Sequence, residues 1–148
     1  PMALRLAANP LYAIVGDTLF IHAGVSPAHV LYGLARMEQE LQAWMRGEGG
    51  DCPAVLEGRD APVWMRNYSS TEAPPDCGML AEVLGSLGLR RMVVGHTVQP
   101  HVNAACDGHV WRIDTGMSAV YGGPVEALEI RGDVLRVLSR QEPPAAQH

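Results

Sequence analysis

The stretch "VVGHTVQPH", Val93 to His101, sets two β-branched residues and a glycine directly before a histidine. Branching at Cβ restricts χ1 and favours a pleated, half-buried strand. An apolar run that stops at Gly-His therefore reads as a buried strand delivering an imidazole at its carboxyl end. "LFIHAGVSP", Leu19 to Pro27, repeats the arrangement about seventy residues earlier. In open α/β sheets functional loops lie beyond the carboxyl ends of strands. Both histidines, His22 and His96, are expected there.

Working outward, "YAIVGDTLFIHAG" reads as a hairpin turning at Gly16-Asp17 between two apolar runs. From Pro27 to about Arg46, Val30, Leu31, Leu34, Met37, Leu41, Trp44 and Met45 recur at three- and four-residue spacings, which predicts one amphipathic helix. "GEGGDCP" and "TEAPPDCG" are loops. A second, shorter helix follows, with Met79, Leu80, Val83, Leu84 and Leu87 on its apolar face, Asp76 as its N-cap and Gly88 at its end. "RRMVVGH" is the next strand, "ACDGHVWRIDTG" another preceded by an Asp107-Gly108 turn, and "VEALEIRGDVLRVL" a hairpin about Gly132-Asp133. Six or seven strands and two helices make a mixed α/β layer, with one parallel strand pair and antiparallel hairpins at the end of the chain. Residues 1–140 read as one domain and 141–148, with Pro143-Pro144, as a disordered tail.

Composition narrows the function classes. With 47% apolar and 18% charged residues, the 148-residue chain has enough apolar surface for a core. The formal net charge of −5 and the absence of a Lys/Arg cluster argue against nucleic acid as a partner. No apolar run reaches the roughly 20 residues a membrane span needs. Arg90-Arg91 is read as solvated surface. Cys52, Cys77 and Cys106 are odd in number and lack a Cys-x-x-Cys spacing, so they are read as reduced cysteines in an intracellular or organelle-interior setting.

Neutral imidazole is the commonest protein ligand for transition metals, and the small residues after each histidine let a ligand approach the backbone closely. Two imidazoles make only part of a metal site, and a strand-end histidine also serves simply as a hydrogen-bonded structural residue. Both readings stand on spacing alone. His29, at a helix start, and His101 and His109, near turns, are read as exposed. Asp114 either orients a ligand or caps the Thr115-Gly116 turn. Trp64 and Trp111 are read as core.

Taken in order, "FIHAGVSP", "VWMRNYS", "MVVGHTVQ" and "WRIDTGMSAVYGG" resemble the carboxyl-terminal half of the phosphoprotein phosphatase branch of calcineurin-like metallophosphoesterases. The Shewanella-like protein phosphatases are the nearest group, and the resemblance runs from about Met2 to Leu138. It implies an α/β metallophosphoesterase sandwich flanked by helices, of which residues 1–140 are the carboxyl-terminal part. It further implies that His22 and His96 bind the second of two divalent metal ions (manganese, iron or zinc), that Arg66 grips the substrate phosphate, and that Tyr121 stands at the rim of the cleft. The implied activity is hydrolysis of a phosphorylated protein side chain, phosphotyrosine or phosphoserine/threonine; the compartment is left open, with cytosolic, plastid and mitochondrial settings all compatible.

The family draws its remaining ligands from Asp-x-His, Gly-Asp-x-x-Asp-Arg-Gly and Gly-Asn-His-Glu motifs, and the chain is read as containing none of them. The chain is therefore expected to be the back half of such an enzyme and inactive by itself. The alternative is a catalytically inactive, phosphatase-like module used for protein association.

Overall fold

The computed structural model describes residues 2–139, so the expected tail at 141–148 lies outside the described residues. The chain opens with α1 (Met2–Leu6), the hairpin β1 (Tyr12–Val15) and β2 (Thr18–Ile21), and helices α2 (Pro27–Tyr32) and α3 (Leu34–Met45). After a long loop come α4 (Cys77–Leu87), β3 (Arg91–Val94), β4 (Asn103–Ala105) and β5 (Val110–Arg112). The hairpin β6 (Glu126–Arg131) and β7 (Val134–Ser139) ends the described chain.

Five strands form one mixed sheet in the order β1-β2-β3-β5-β4, and β6-β7 form a separate antiparallel pair. The mixed α/β sheet with a terminal hairpin is as the sequence predicts. The parallel content is larger than expected: β3 pairs in parallel with both β2 and β5. A central parallel strand is covered on both faces, and all four residues of β3 are buried. That explains a correction at Arg91, which is 4% exposed rather than solvated and lies 3.5 Å from Asp17 Oδ1. Taking a charge out of water is costly unless it is paired, and Asp17 and Thr18 supply the partners.

The single helix expected over 27–46 is two, because Gly33 takes φ 102° between α2 and α3. That backbone is outside the helical region. In α4 the expected caps are present: Asp76 Oδ1 accepts from the Met79 amide at 2.9 Å, and Gly88 closes the helix at φ 67°. Leu80, Val83 and Leu84 of this helix meet Leu19, Ile21, Met92 and Val94 of the sheet and Met37 of α3 in the core. Each such side chain contributes about 1.5–3 kcal/mol on full burial.

Cys77 and Cys106 form a disulfide, with Cα atoms 5.4 Å apart, which corrects the reading of three reduced cysteines. The bridge ties the start of α4 to the connection after β4, two places 29 residues apart in sequence. Nothing local marks them as partners. The inference of an intracellular setting from reduced thiols loses its premise for this pair, and Cys52 alone is free. Among the described residues no helix is long and apolar enough to cross a membrane.

Candidate active site

β2 and β3 lie side by side and in parallel, with Ile21 opposite Val94. Their next residues therefore leave the sheet at the same edge. The Gly95 amide donates to the His22 carbonyl at 2.8 Å and prolongs the pairing past the strand ends. His22 Nε2 and His96 Nδ1 consequently stand 3.1 Å apart although 74 positions separate them in sequence.

The backbone at His96 is unusual. Its φ is 67°, and the Thr97 amide donates to the Gly95 carbonyl at 2.8 Å across it. An i to i+2 hydrogen bond about a residue of positive φ is a γ-turn of the rarer, strained hand. Strain of this kind costs about 1–3 kcal/mol and persists only where surrounding structure enforces it. Among the described residues, His96 Nε2 is also buried without a hydrogen-bond partner. Burial holds the His96 pKa below the usual imidazole range, and the Arg66 guanidinium and the neighbouring His22 act in the same direction. The Trp64 backbone and Asp114 oppose this only in part. The shift favours the neutral ring, the form that ligates metals.

The segment carrying Trp64 and Arg66 is docked onto both histidine loops. The Ala23 and Gly24 amides donate to the Pro62 carbonyl at 3.1 and 3.3 Å, and Tyr68 Oη donates to the Val25 carbonyl at 2.7 Å. Tyr68 packs so closely over Gly24 that a Cβ there would lie 2.7 Å from its ring. A residue without a Cβ at Gly24, two positions after His22, is thus required by Tyr68. Arg66 Nη1 donates to Thr97 Oγ1 at 2.9 Å, which fixes the guanidinium beside the Gly-His-Thr turn. Trp64, expected in the core, is 58% exposed, with its ring edge-on to His96 at 5.6 Å between centroids. A groove of about 660 Å³, lined by Gly58, Arg59, Trp64, Arg66, Asn67 and Ser70 among others, runs past these residues.

The loop bearing Tyr121 leaves the carboxyl end of β5, the same edge of the sheet. It is clipped at its base by Thr115 Oγ1 donating to the Pro124 carbonyl at 2.7 Å and the Gly123 amide donating to the Gly116 carbonyl at 2.9 Å. A Cβ on Gly123 would collide with the Thr115 carbonyl oxygen. Below the clip, the Glu126 carboxylate accepts from the Val102 amide at 2.7 Å and meets His101 Nδ1 at 2.8 Å. Tyr121 itself is 71% exposed and, among the described residues, makes no side-chain hydrogen bond or ring contact with His22, His96 or Arg66. Of the four site residues expected from sequence, three converge and the fourth stands apart on a rigidly closed loop.

Other expectations change. His29 is buried at 5% exposure, and its Nδ1 accepts from the Ser26 amide at 3.0 Å. Asp114 Oδ1 accepts from the Gly116 amide at 3.0 Å, the turn-capping role, while its charge also acts on His96. The chain does contain one Asp-x-His triplet, Asp107-Gly108-His109, which the motif reading passed over. It lies where β5 begins, with His109 Nδ1 2.7 Å from the Arg90 carbonyl, at the end of the parallel strands opposite His22 and His96.

A cation held by two imidazoles at about 2.0–2.1 Å needs their nitrogens about 3.0–3.4 Å apart. The 3.1 Å between His22 Nε2 and His96 Nδ1 fits two ligands of one ion. No third His, Cys, Asp or Glu joins them among the described residues. The pair fits as part of a metal centre and does not make a complete one.

No family model matches the chain. Over 140 residues it is 40% identical to Shewanella-like protein phosphatase 2 of Arabidopsis thaliana, covering 90% of this chain and 36% of that protein. The chain is similar to the Shewanella-like protein phosphatases. A second of these, Shewanella-like protein phosphatase 1 of Plasmodium berghei, is 28% identical over 134 residues, covering 81% of this chain and 36% of that one. The chain thus spans about a third of the length of these curated relatives. The fold is shared with the cold-active protein-tyrosine phosphatase of a psychrophilic Shewanella species, at a TM-score of 0.73 and 21% identity over 89% of this chain and 41% of that one. Another structure of a cold-active protein tyrosine phosphatase gives 0.68 at 22% identity, covering 83% and 37%.

Proposed function

We propose that the chain belongs to a metal-dependent phosphatase that hydrolyses phosphomonoesters on protein side chains, with phosphotyrosine or phosphoserine/threonine as substrate. The observation that carries this reading is the 3.1 Å approach of two imidazole nitrogens beside a tethered arginine. His22 and His96 would hold one divalent cation, manganese, iron or zinc. When bound, a pair of divalent ions supplies a water of lowered pKa and charge that neutralises phosphoryl oxygens.

The chain's own residues do the rest. Arg66 presents the planar fork of a guanidinium, which suits phosphoryl oxygens in a bidentate manner. The lowered pKa of His96 favours the neutral ring that a cation would require. Trp64 walls the groove through which the phosphorylated segment reaches Arg66. Tyr121, on its clipped loop, limits access from the other side. The names of the Shewanella-like phosphatases and of the fold's solved neighbours support a protein substrate.

A second reading, an inactive association module, is favoured by the absence of a third ligating side chain among the described residues. Metal content separates the two. The native gene product, stripped with chelator and reloaded with manganese, should regain turnover of a phosphotyrosine peptide, whereas these 148 residues alone should bind no more than one ion per chain and turn over nothing. A native gene product that neither binds metal nor releases phosphate would leave the module reading.

A further inference from the structure

The Gly-His-Thr turn carries a polar side chain that the ligand pair does not account for. Thr97 is 7% exposed, and its hydroxyl accepts from Arg66 Nη1 and from Ser69 Oγ, each at 2.9 Å. Ser69 is wholly buried. The Gln99 side-chain amide, also buried, donates to the Ser69 carbonyl at 2.9 Å and to the Thr97 carbonyl at 3.1 Å. Three buried polar side chains from two loops thus form one network, and its one exposed member is the Arg66 guanidinium that lines the groove.

Thr97 is joined to both working parts of the site. Its amide closes the turn that presents His96, and its hydroxyl holds Arg66. A free arginine side chain samples many rotamers. Tethering one nitrogen to a buried, satisfied network removes that freedom and leaves the other donors of the fork available. We infer that Thr97 is a positioning residue that fixes Arg66, relative to His96, in the place where a phosphoryl group is gripped. The inference rests on the phosphatase reading above, in which Arg66 binds the substrate phosphate.

The test uses the native gene product with p-nitrophenyl phosphate as substrate and inorganic phosphate as inhibitor, reading kcat/KM and Ki. Thr97→Val keeps the shape and loses the hydroxyl. It should raise Ki and lower kcat/KM by about tenfold to a hundredfold, the scale of a misplaced binding group. Thr97→Ser, which keeps the hydroxyl, should bring both back to within about threefold of wild type. In an Arg66→Ala background Thr97→Val should change neither constant further, since residues that act as one unit are not additive. Ser69→Ala enters the same network from its other side and carries the same cycle if Thr97→Val is too unstable to purify.

A Ki raised by Arg66→Ala and untouched by Thr97→Val or Ser69→Ala overturns the positioning role and leaves the phosphatase reading standing. Losses that persist in full in the Arg66→Ala background mean that Thr97 supports only the fold, and also overturn it. A Ki unmoved by Arg66→Ala overturns Arg66 as the phosphate-binding group and this inference with it, while a native gene product without turnover overturns the phosphatase reading as well.

Discussion

Replacing His96 by asparagine should separate stability from function. Four local terms change. The γ-turn places a non-glycine side chain at φ 67°, and asparagine occupies this region with less strain than a bulkier residue, a gain of about 1 kcal/mol within the usual range. The buried, unpartnered Nε2 disappears; leaving such a group unsatisfied costs about 1–3 kcal/mol. Against these stand the lost edge contact with Trp64, about 0.5–1.5 kcal/mol for an aromatic pair and near the low end because Trp64 is 58% exposed, and the lost 3.1 Å contact with His22 Nε2, about 0.5–1.5 kcal/mol. The net is a stabilisation of about 1–2 kcal/mol, or roughly 2–8 °C in Tm for a domain of this size. Thermal unfolding followed by circular dichroism, with chelator present so that metal cannot favour the wild type, measures it. Activity and metal content of the native gene product should fall together in the same variant. A Tm lowered by several degrees in chelator would show that His96 supports the fold, and full turnover with unchanged metal would show that it is no ligand.

Three further outcomes are expected. Gly24→Ala drives a Cβ to 2.7 Å from the Tyr68 ring at a φ of 147°. It should cost about 2–3 kcal/mol by overpacking, seen as a lower urea midpoint, and Gly24→Ala paired with Tyr68→Leu should recover part of the loss if the clash is the cause. Breaking the Cys77–Cys106 bridge by Cys77→Ser frees a loop whose ends are 29 positions apart in sequence, which chain-entropy arguments value at about 3–4 kcal/mol; wild type under reductant should show the same drop, and equal midpoints with and without reductant would contradict it. Burial holds the His29 pKa below the free value, about 6.5, so the unfolded chain binds the extra proton first. Stability from this site is therefore complete above about pH 6.5 and is lost as pH falls through the lowered folded value. His29→Gln should flatten that part of the urea-midpoint profile, and an unchanged slope would assign it elsewhere.

Local patterns in the chain already specify much of this molecule. Hairpins at Gly16-Asp17 and Gly132-Asp133, the caps of α4 at Asp76 and Gly88, and strands that end at His22 and His96 follow from turn chemistry and from where apolar runs stop. These depend on neighbours within a few positions, which a sequence displays directly. The break at Gly33 was less legible, since the apolar period continues through it while the backbone does not.

Tertiary structure decided the rest, because the deciding partners lie far apart in the chain. The parallel register of β2 and β3 turns two separate histidines into a pair 3.1 Å apart. The same packing set Arg66 on Thr97, left Trp64 exposed, buried His29 and Arg91, and joined Cys77 to Cys106. Residue type and order determined which groups were available for chemistry. Contacts between segments 30 to 74 positions apart determined which of them meet, since burial and through-space charge depend on distance in the folded chain and spacing along it carries no record of that distance.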